Sequence, residues 1–379
     1  MRAIAALPAL TGSWREVGGG LQLSTSQAFQ LDKSALEMPE LQMKSALGRA
    51  ARIVNMAELG KALTELDGPP VKAMVVYNSN PAAIAPNQNL VMKGMRRADL
   101  FTVVLEQFQT DTADYADILL PATTFLEHTD LYLAYGHYHL QMAKAAVEAL
   151  GEAKSNVEVF RELAKRMGFE DACFEDSEEA MIDSLLGSGH PFLEGITRRR
   201  LEAEHSVRLN VSPVGEPFLP FAKGEFGTAS GRCEFGAEML EYAPPAESRL
   251  GDEGLRRKYP LEFLSSKNDD SMNSTFGNRA AVDEQTSVLH LHPRDAEARG
   301  ISAGDRVRVF NDRGSLLLTA AVAAESPVPP GVTRAPSTRW AKKAADGRSA
   351  NALTSERLTD IGGGPTFYNC LVEVERCGD

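Results

Sequence analysis

Short polar side chains collect at two points of this chain where apolar runs stop. One is Ala73 to Asn89, AMVVYNSNPAAIAPNQN, and the other is Leu100 to Asp130, LFTVVLEQFQTDTADYADILLPATTFLEHTD. Each starts with a β-branched, apolar run suited to a strand buried on both faces. Each then breaks into polar residues: Asn78, Ser79, Asn80 and Pro81 in the first, Thr110, Asp111 and Thr112 in the second. An Asn amide carries both donors and an acceptor, so such loops can match a ligand with a mixed polar edge. In an open parallel sheet the carboxyl ends of the strands are where ligands bind. Asn268, Asn273, Asn278, Asn351 and Asn369 extend the same chemistry along the chain. Asn also marks turns, which is the reading adopted for Asn87 and Asn311.

The elements that must position these loops follow from periodicity. Strands are expected at Val71–Tyr77, Leu100–Leu105 and Ile118–Leu120, and helices at Met56–Leu66 and Leu90–Ala98. Asp111–Ala116 should open a helical turn. Val157–Met167 is amphipathic and stops at Gly168. Strands alternating with helices imply parallel pairing through crossovers. Residues 1–52 read as a remnant of an interrupted α/β region with a helix at Arg2–Leu10, and 53–170 as the α/β domain. Residues 171–258 read as a connector with an acidic helix, Glu175–Leu186, and a hairpin at Phe226–Phe235. Residues 259–379 read as a β domain, with Asp305–Asn311 and Ser315–Val322 joined by a tight turn at Asp312-Arg313-Gly314.

Composition narrows the function. With 379 residues the chain can bury more than one core, and its net charge of −12 argues against nucleic acid or an anionic membrane as partner. No apolar run approaches the ~20 residues of a membrane span. The four cysteines, Cys173, Cys233, Cys370 and Cys377, have neither zinc nor iron–sulfur spacing. There is no G-x-S-x-G elbow and no phosphate-binding G-x-x-x-x-G-K-[ST] loop. His137/His139 and His290/His292 have i, i+2 spacing but lack a third metal ligand nearby. Glu127 beside His128 is read as fixing its loop rather than as an acid–base pair.

Asn78-Ser79-Asn80-Pro81, Thr110-Asp111-Thr112-Ala113, Ala116-Asp117-Ile118-Leu119-Leu120-Pro121-Ala122 and Glu127 together resemble the molybdopterin-guanine-dinucleotide oxidoreductases, the dimethyl sulfoxide reductase superfamily. The phrases FLSSKNDDSMNSTFGN, HPRDAEARGISAGDRVRVFNDRGSL and NALTSERLTDIGGGPTFYNCLVEV resemble the same family's C-terminal dinucleotide-binding barrel. The resemblance implies a doubly wound parallel-sheet domain followed by a double-psi β-barrel. It implies molybdopterin guanine dinucleotide as cofactor, with Mo or W and in bis form in the complete enzyme. The implied contacts are Asn78, Ser79, Asn80, Pro81, Thr110, Asp111, Thr112, Ser266, Lys267, Asn273, Ser274, Thr275, Asn351 and Asn369. For Thr110 and Thr112, plain N-capping is the competing role. The family's iron–sulfur cysteine motif and its metal-ligating residue are not found, so no catalytic residue or metal ligand is assigned and no iron–sulfur cluster is expected in this chain. The expected partners are a missing N-terminal catalytic segment or subunit and an iron–sulfur electron-transfer subunit, without direct membrane insertion. The default compartment is the cytoplasm. The leading expectation is the C-terminal part of an oxidoreductase, inactive in isolation; the alternatives are a stand-alone cofactor-binding module and an inactive remnant.

Overall fold

The computed structural model describes residues 2–22, 31–236, 242–267, 271–325, 327–336 and 339–378. The chain forms two compact units. One joins Arg52–Ala122 to Tyr242–Asp379, and the other joins Met1–Ala51 to Thr123–Glu241. These units cut the chain differently from the four segments drawn on the sequence. Residues 123–170 pack with 1–51 and 171–241, and 242–258 packs with the barrel.

In the first unit, β1 (Ala73–Tyr77), β2 (Phe101–Glu106) and β3 (Ile118–Pro121) form a parallel sheet in that order. Val75 lies opposite Val103, which lies opposite Ile118. Val76, Thr102 and Val104 are buried on one face of the sheet, whose edge residue Leu119 is exposed. Helices Leu59–Glu65 and Gln88–Met95 belong to the accompanying core, where Leu63, Val91 and Met95 meet Leu100 and Met74. The two helices approach closely because Gly94 has no side chain: a Cβ there would lie 2.4 Å from Leu63 Cβ. The expected helical turn at Asp111–Ala116 is shorter, a single 3₁₀ turn at Ala113–Tyr115.

The second unit contains an antiparallel sheet of β4 (Asp130–Leu133), β5 (His139–Ala143) and β6 (Ser206–Arg208), with β5 central. Its core gathers Leu140, Met142, Ile182, Leu185, Leu201 and Leu209, together with Leu31 from the N-terminal stretch. Leu36 packs against the same core, so residues 31–36 are tied into this body. Helix Asn156–Met167 starts where Ser155 Oγ accepts the Glu158 amide and stops at Gly168 with φ 76°, as its sequence requires. The acidic helix runs from Glu178 to Leu186, with Ser177 as its cap. Phe226–Phe235 makes the expected turn, with Phe226 N donating to Gly231 O and Thr228 Oγ1 to Arg232 O. Its flanks pair with no strand among the described residues, so the turn's local bonds stand without a ladder.

Returning to the first unit, β7 (Leu261–Leu264), β8 (Val288–Leu291), β9 (Arg306–Asn311), β10 (Gly314–Val322), β11 (Val332–Arg334) and β12 (Leu371–Arg376) close into a barrel. The order around it is β10-β8-β11-β7-β12-β9, with β10–β8 and β11–β7 parallel. This fulfils the expected class, a parallel sheet followed by a closed six-stranded barrel. Alternation fills its interior with Val307, Val309, Leu316, Leu318, Ala320, Val372 and Val374. The β9–β10 turn is tied down by Arg313. Its guanidinium forks onto both carboxylate oxygens of Glu247, its Nε donates to Leu353 O at 2.8 Å, and Glu247 is buried. Burial among the barrel residues pushes the Cys370 thiol up to about 12.

Two measurements test this core. Glu247→Ala leaves the Arg313 charge sequestered without a counter-ion and should cost about 3–5 kcal/mol in urea unfolding. A thiol reagent at pH 8 should modify Cys173, Cys233 and Cys377 in the native chain and reach Cys370 only on unfolding, because the thiolate is the reactive form.

Candidate functional site

The polar loops after β1 and β2 meet directly. Asn80 and Thr112 are both buried. Asn80 Oδ1 accepts from Thr112 N at 3.1 Å and from Thr112 Oγ1 at 2.7 Å. Thr112 Oγ1 in turn accepts the Ala82 amide at 3.0 Å. Pro81 opens the short helix Pro81–Ile84, where its missing N–H costs nothing. Asn78, just after β1, takes the left-handed conformation with φ 53°, which Asn tolerates better than most residues. Ser79 is half-buried beside it.

A second set of bonds joins this edge to the barrel's C-terminal loop. Gln88, fully buried, donates from Nε2 to Ala82 O at 2.7 Å and accepts the Ser349 amide at Oε1 at 3.0 Å. Ala83 O accepts from Asn351 Nδ2 at 2.8 Å and from Ser349 Oγ at 3.2 Å. Asn351 Oδ1 accepts the Thr354 hydroxyl at 2.9 Å. Gln88 and Ser349 were missed by sequence reasoning. The available signal was a Gln on the buried face of a helix otherwise filled by Val91, Met92 and Met95, since a buried amide demands partners.

Asp111 faces the same barrel loops. Its Oδ2 accepts Ala341 N at 3.1 Å and its Oδ1 accepts Lys342 N at 2.8 Å. Burial raises its carboxyl above the usual range, outweighing the pull of the two amides. Two hydroxyl or amide atoms in the strand-end loops, Asn80 Nδ2 and Thr110 Oγ1, are buried and have no hydrogen-bond partner among the described residues; Thr102 Oγ1 in β2 shares this state.

The remaining candidates are more dispersed. Ser266 Oγ, after β7, accepts from Arg334 Nε at 2.6 Å, and Lys267 is exposed. Asn273 is exposed with φ 55°, Thr275 pairs with Met272 across a tight turn, and Ser274 O accepts Trp340 Nε1 at 2.9 Å. Asn369 is half-buried, its amide bonded to Thr366 O. Neither Lys267 nor Asn369 is hydrogen-bonded through its side chain to the Asn80–Thr112 network among the described residues. Asn268 lies outside the described residues.

The histidine pairs have structural partners. His137 Nδ1 accepts the His139 amide, and His292 Nδ1 accepts the Arg294 amide at the start of a short helix. Burial, reinforced by Arg334, pushes His290 below the usual imidazole range. No cluster of three or more metal-ligating side chains occurs among the described residues. Glu127 accepts the amides of Thr124 and Leu150, which hold its carboxyl below the usual range. Through these bonds Glu127 ties Thr124 to Leu150.

The fold and these loops define a class: a parallel sheet whose polar carboxyl edge is hydrogen-bonded to loops of a closed β-barrel. Comparison with known proteins places it. Residues 1–166 match the Molybdopterin oxidoreductase family, and residues 261–371 match the Molydopterin dinucleotide binding domain. The chain belongs to the molybdopterin oxidoreductases of the dimethyl sulfoxide reductase superfamily. It is 39% identical over 380 residues to the probable oxidoreductase YoaE of Bacillus subtilis, covering 99% of this chain and 54% of that protein. It is 31% identical over 286 residues to the dimethyl sulfoxide/trimethylamine N-oxide reductase of Cereibacter sphaeroides, covering 67% of this chain and 34% of the relative. Acetylene hydratase from Pelobacter acetylenicus shares the fold, with a TM-score of 0.70 at 23% identity over 86% of this chain and 47% of the hydratase. The chain thus spans about half the length of the first relatives it matches.

The Asn80–Thr112 bridge has a measurable weight. Asn80→Ala strips a buried amide and a hydroxyl of their acceptor, and chemical denaturation should show a loss of about 1–3 kcal/mol. An unchanged midpoint would mean the two loops do not depend on each other.

Proposed function

We propose that this chain binds molybdopterin guanine dinucleotide within a molybdenum or tungsten oxidoreductase, and that polypeptide beyond these residues completes the redox site. The reading is carried by the strand-end network, where two loops of the parallel sheet and a barrel loop are held together around buried polar atoms that lack partners. An unpaired buried donor or acceptor costs about 1–3 kcal/mol, a cost that a ligand edged with donors and acceptors removes. At the sheet edge, apart from Asp111, whose oxygens are taken by backbone amides, the set is uncharged and rich in amides and hydroxyls, which fits a pterin and a guanine. Asn78, Ser79, Asn80, Pro81, Thr110, Asp111 and Thr112 would line the sheet edge, with Ser266, Lys267, Asn273, Ser274, Thr275, Asn351 and Asn369 contributed from the barrel. Lys267, exposed, and Arg334, on Ser266, supply positive charge for a diphosphate. When bound, the group supplies the metal for oxygen-atom or electron transfer; this chain's residues bind and orient it.

The need for further polypeptide rests on the sheet's second face. Val75, Tyr77, Phe101 and Ile118 share that face and are 43–49% exposed, while Leu105 at its carboxyl end is buried. Parallel sheets are stable when both faces are covered, so this face is suited to an apolar covering segment. The share of the relatives' length outside the match leaves room for one. An iron–sulfur subunit would be a partner of the completed enzyme. The cluster itself is not expected in this chain.

The test is purification from a host that makes the dinucleotide. Oxidised-pterin fluorescence and acid-released GMP should accompany the chain, and Asn351→Leu should lower its affinity about tenfold, the equivalent of one hydrogen bond of ~1.4 kcal/mol. The chain alone should not reduce an acceptor dye. Absence of pterin and GMP, even after co-expression with a covering segment, would overturn the reading.

A further inference from the structure

We infer that Asp111 is a positioning residue that fixes the conformation of the Met272–Gly277 loop, acting through the turn at Trp340–Lys343. The inference rests on the reading above only in taking Asn273, Ser274 and Thr275 as cofactor-facing; the linkage itself stands on contacts within one compact unit.

The loop's own conformation is costly. Asn273 and Phe276 both take left-handed backbone angles, φ 55° and 65°. Non-glycine residues take such conformations at a cost, larger for Phe than for Asn, and they persist where the surroundings enforce them. Phe276 is exposed, with the Arg279 guanidinium 4.4 Å from its ring centroid, so it is not held by a core.

The enforcement comes from the 340–343 turn. Trp340 is buried and donates Nε1 to Ser274 O. Gly277 presses its backbone against the indole, where a Cβ would sit 2.8 Å from Trp340 Cδ1. Lys343 Nζ donates to Asn278 O at 2.6 Å, just past the loop. The turn in turn hangs on Asp111, which takes the amides of Ala341 and Lys342, one on each oxygen. Lys342 Nζ pairs with Asp114 at 2.7 Å, adding a second, exposed tie between the same two segments. The Asp111 carboxylate, from the loop after β2, is thus linked in three steps to a barrel loop some 160 residues later in the chain. Two acceptor oxygens are needed. An Asn at 111 offers one oxygen and turns an NH₂ toward the second amide, a donor facing a donor.

Hydrogen exchange of the purified full chain tests this without cofactor. Asp111→Asn should speed exchange at least tenfold at Ala341 and Lys342 and also at Thr275 and Gly277, while β9 and β10 keep their protection. Faster exchange at 341–342 with the 272–277 loop unchanged would overturn the inference, since Asp111 would then be only a local cap. Trp340→Phe supplies the second arm if Asp111→Asn does not fold. It removes the indole N–H and the ring edge packed against Gly277, and should loosen the 272–277 loop while Ala341 and Lys342 stay protected; an unchanged loop would again overturn the linkage. Because neither arm reads pterin, failure of cofactor binding and failure of the linkage are told apart.

Discussion

Two backbone carbonyls, those of Ala82 and Ala83, hold the sheet and the barrel of the larger unit in register. Both lie in the short helix Pro81–Ile84 that follows β1, too short to give its last carbonyls partners of its own. Buried carbonyls must be paired, and here the partners come from side chains: Gln88 on one, Asn351 and Ser349 on the other. Each of these side chains then binds a further group, so the network closes on itself. A network of this kind is sensitive to any single loss, because a half-satisfied set of buried polar groups is less stable than none. The prevalence of amides and hydroxyls in this network follows from the same constraint. Amides and hydroxyls can be buried with ordinary partners, whereas each buried charge needs a dedicated counter-group.

Where charge is buried in this unit, the counter-groups are present. Glu247 meets the forked guanidinium of Arg313, and Asp111 meets two backbone amides. Both carboxylates serve loops that enter or leave barrel strands. In the strand-end loops Asp111 is thus a buried carboxylate whose two oxygens are taken by backbone amides.

The parallel sheet shows an imbalance. One face carries helices and a dense core; the other leaves Val75, Tyr77, Phe101 and Ile118 open. A three-stranded parallel sheet offers little area to repay strand ordering, so the covered face and the tie to the barrel must supply most of what stabilises it.

The sequence by itself determined the element types, because their causes are local. Val and Ile runs make strands, Ser155 and Gly168 bound a helix, and Asn311–Gly314 makes a two-residue turn. It also determined that the loops after Tyr77 and Leu105 would be polar and come together, since parallel neighbours end on the same edge. Only the tertiary structure decided which polar atoms pair. Gln88 with Ser349, Asp111 with the 341–342 amides, and Leu31 with the core around Leu140 join residues far apart in the chain. No spacing rule encodes such pairs. They arise because closing the barrel and stacking the helices bring buried donors and acceptors together away from water, and there each must find a partner.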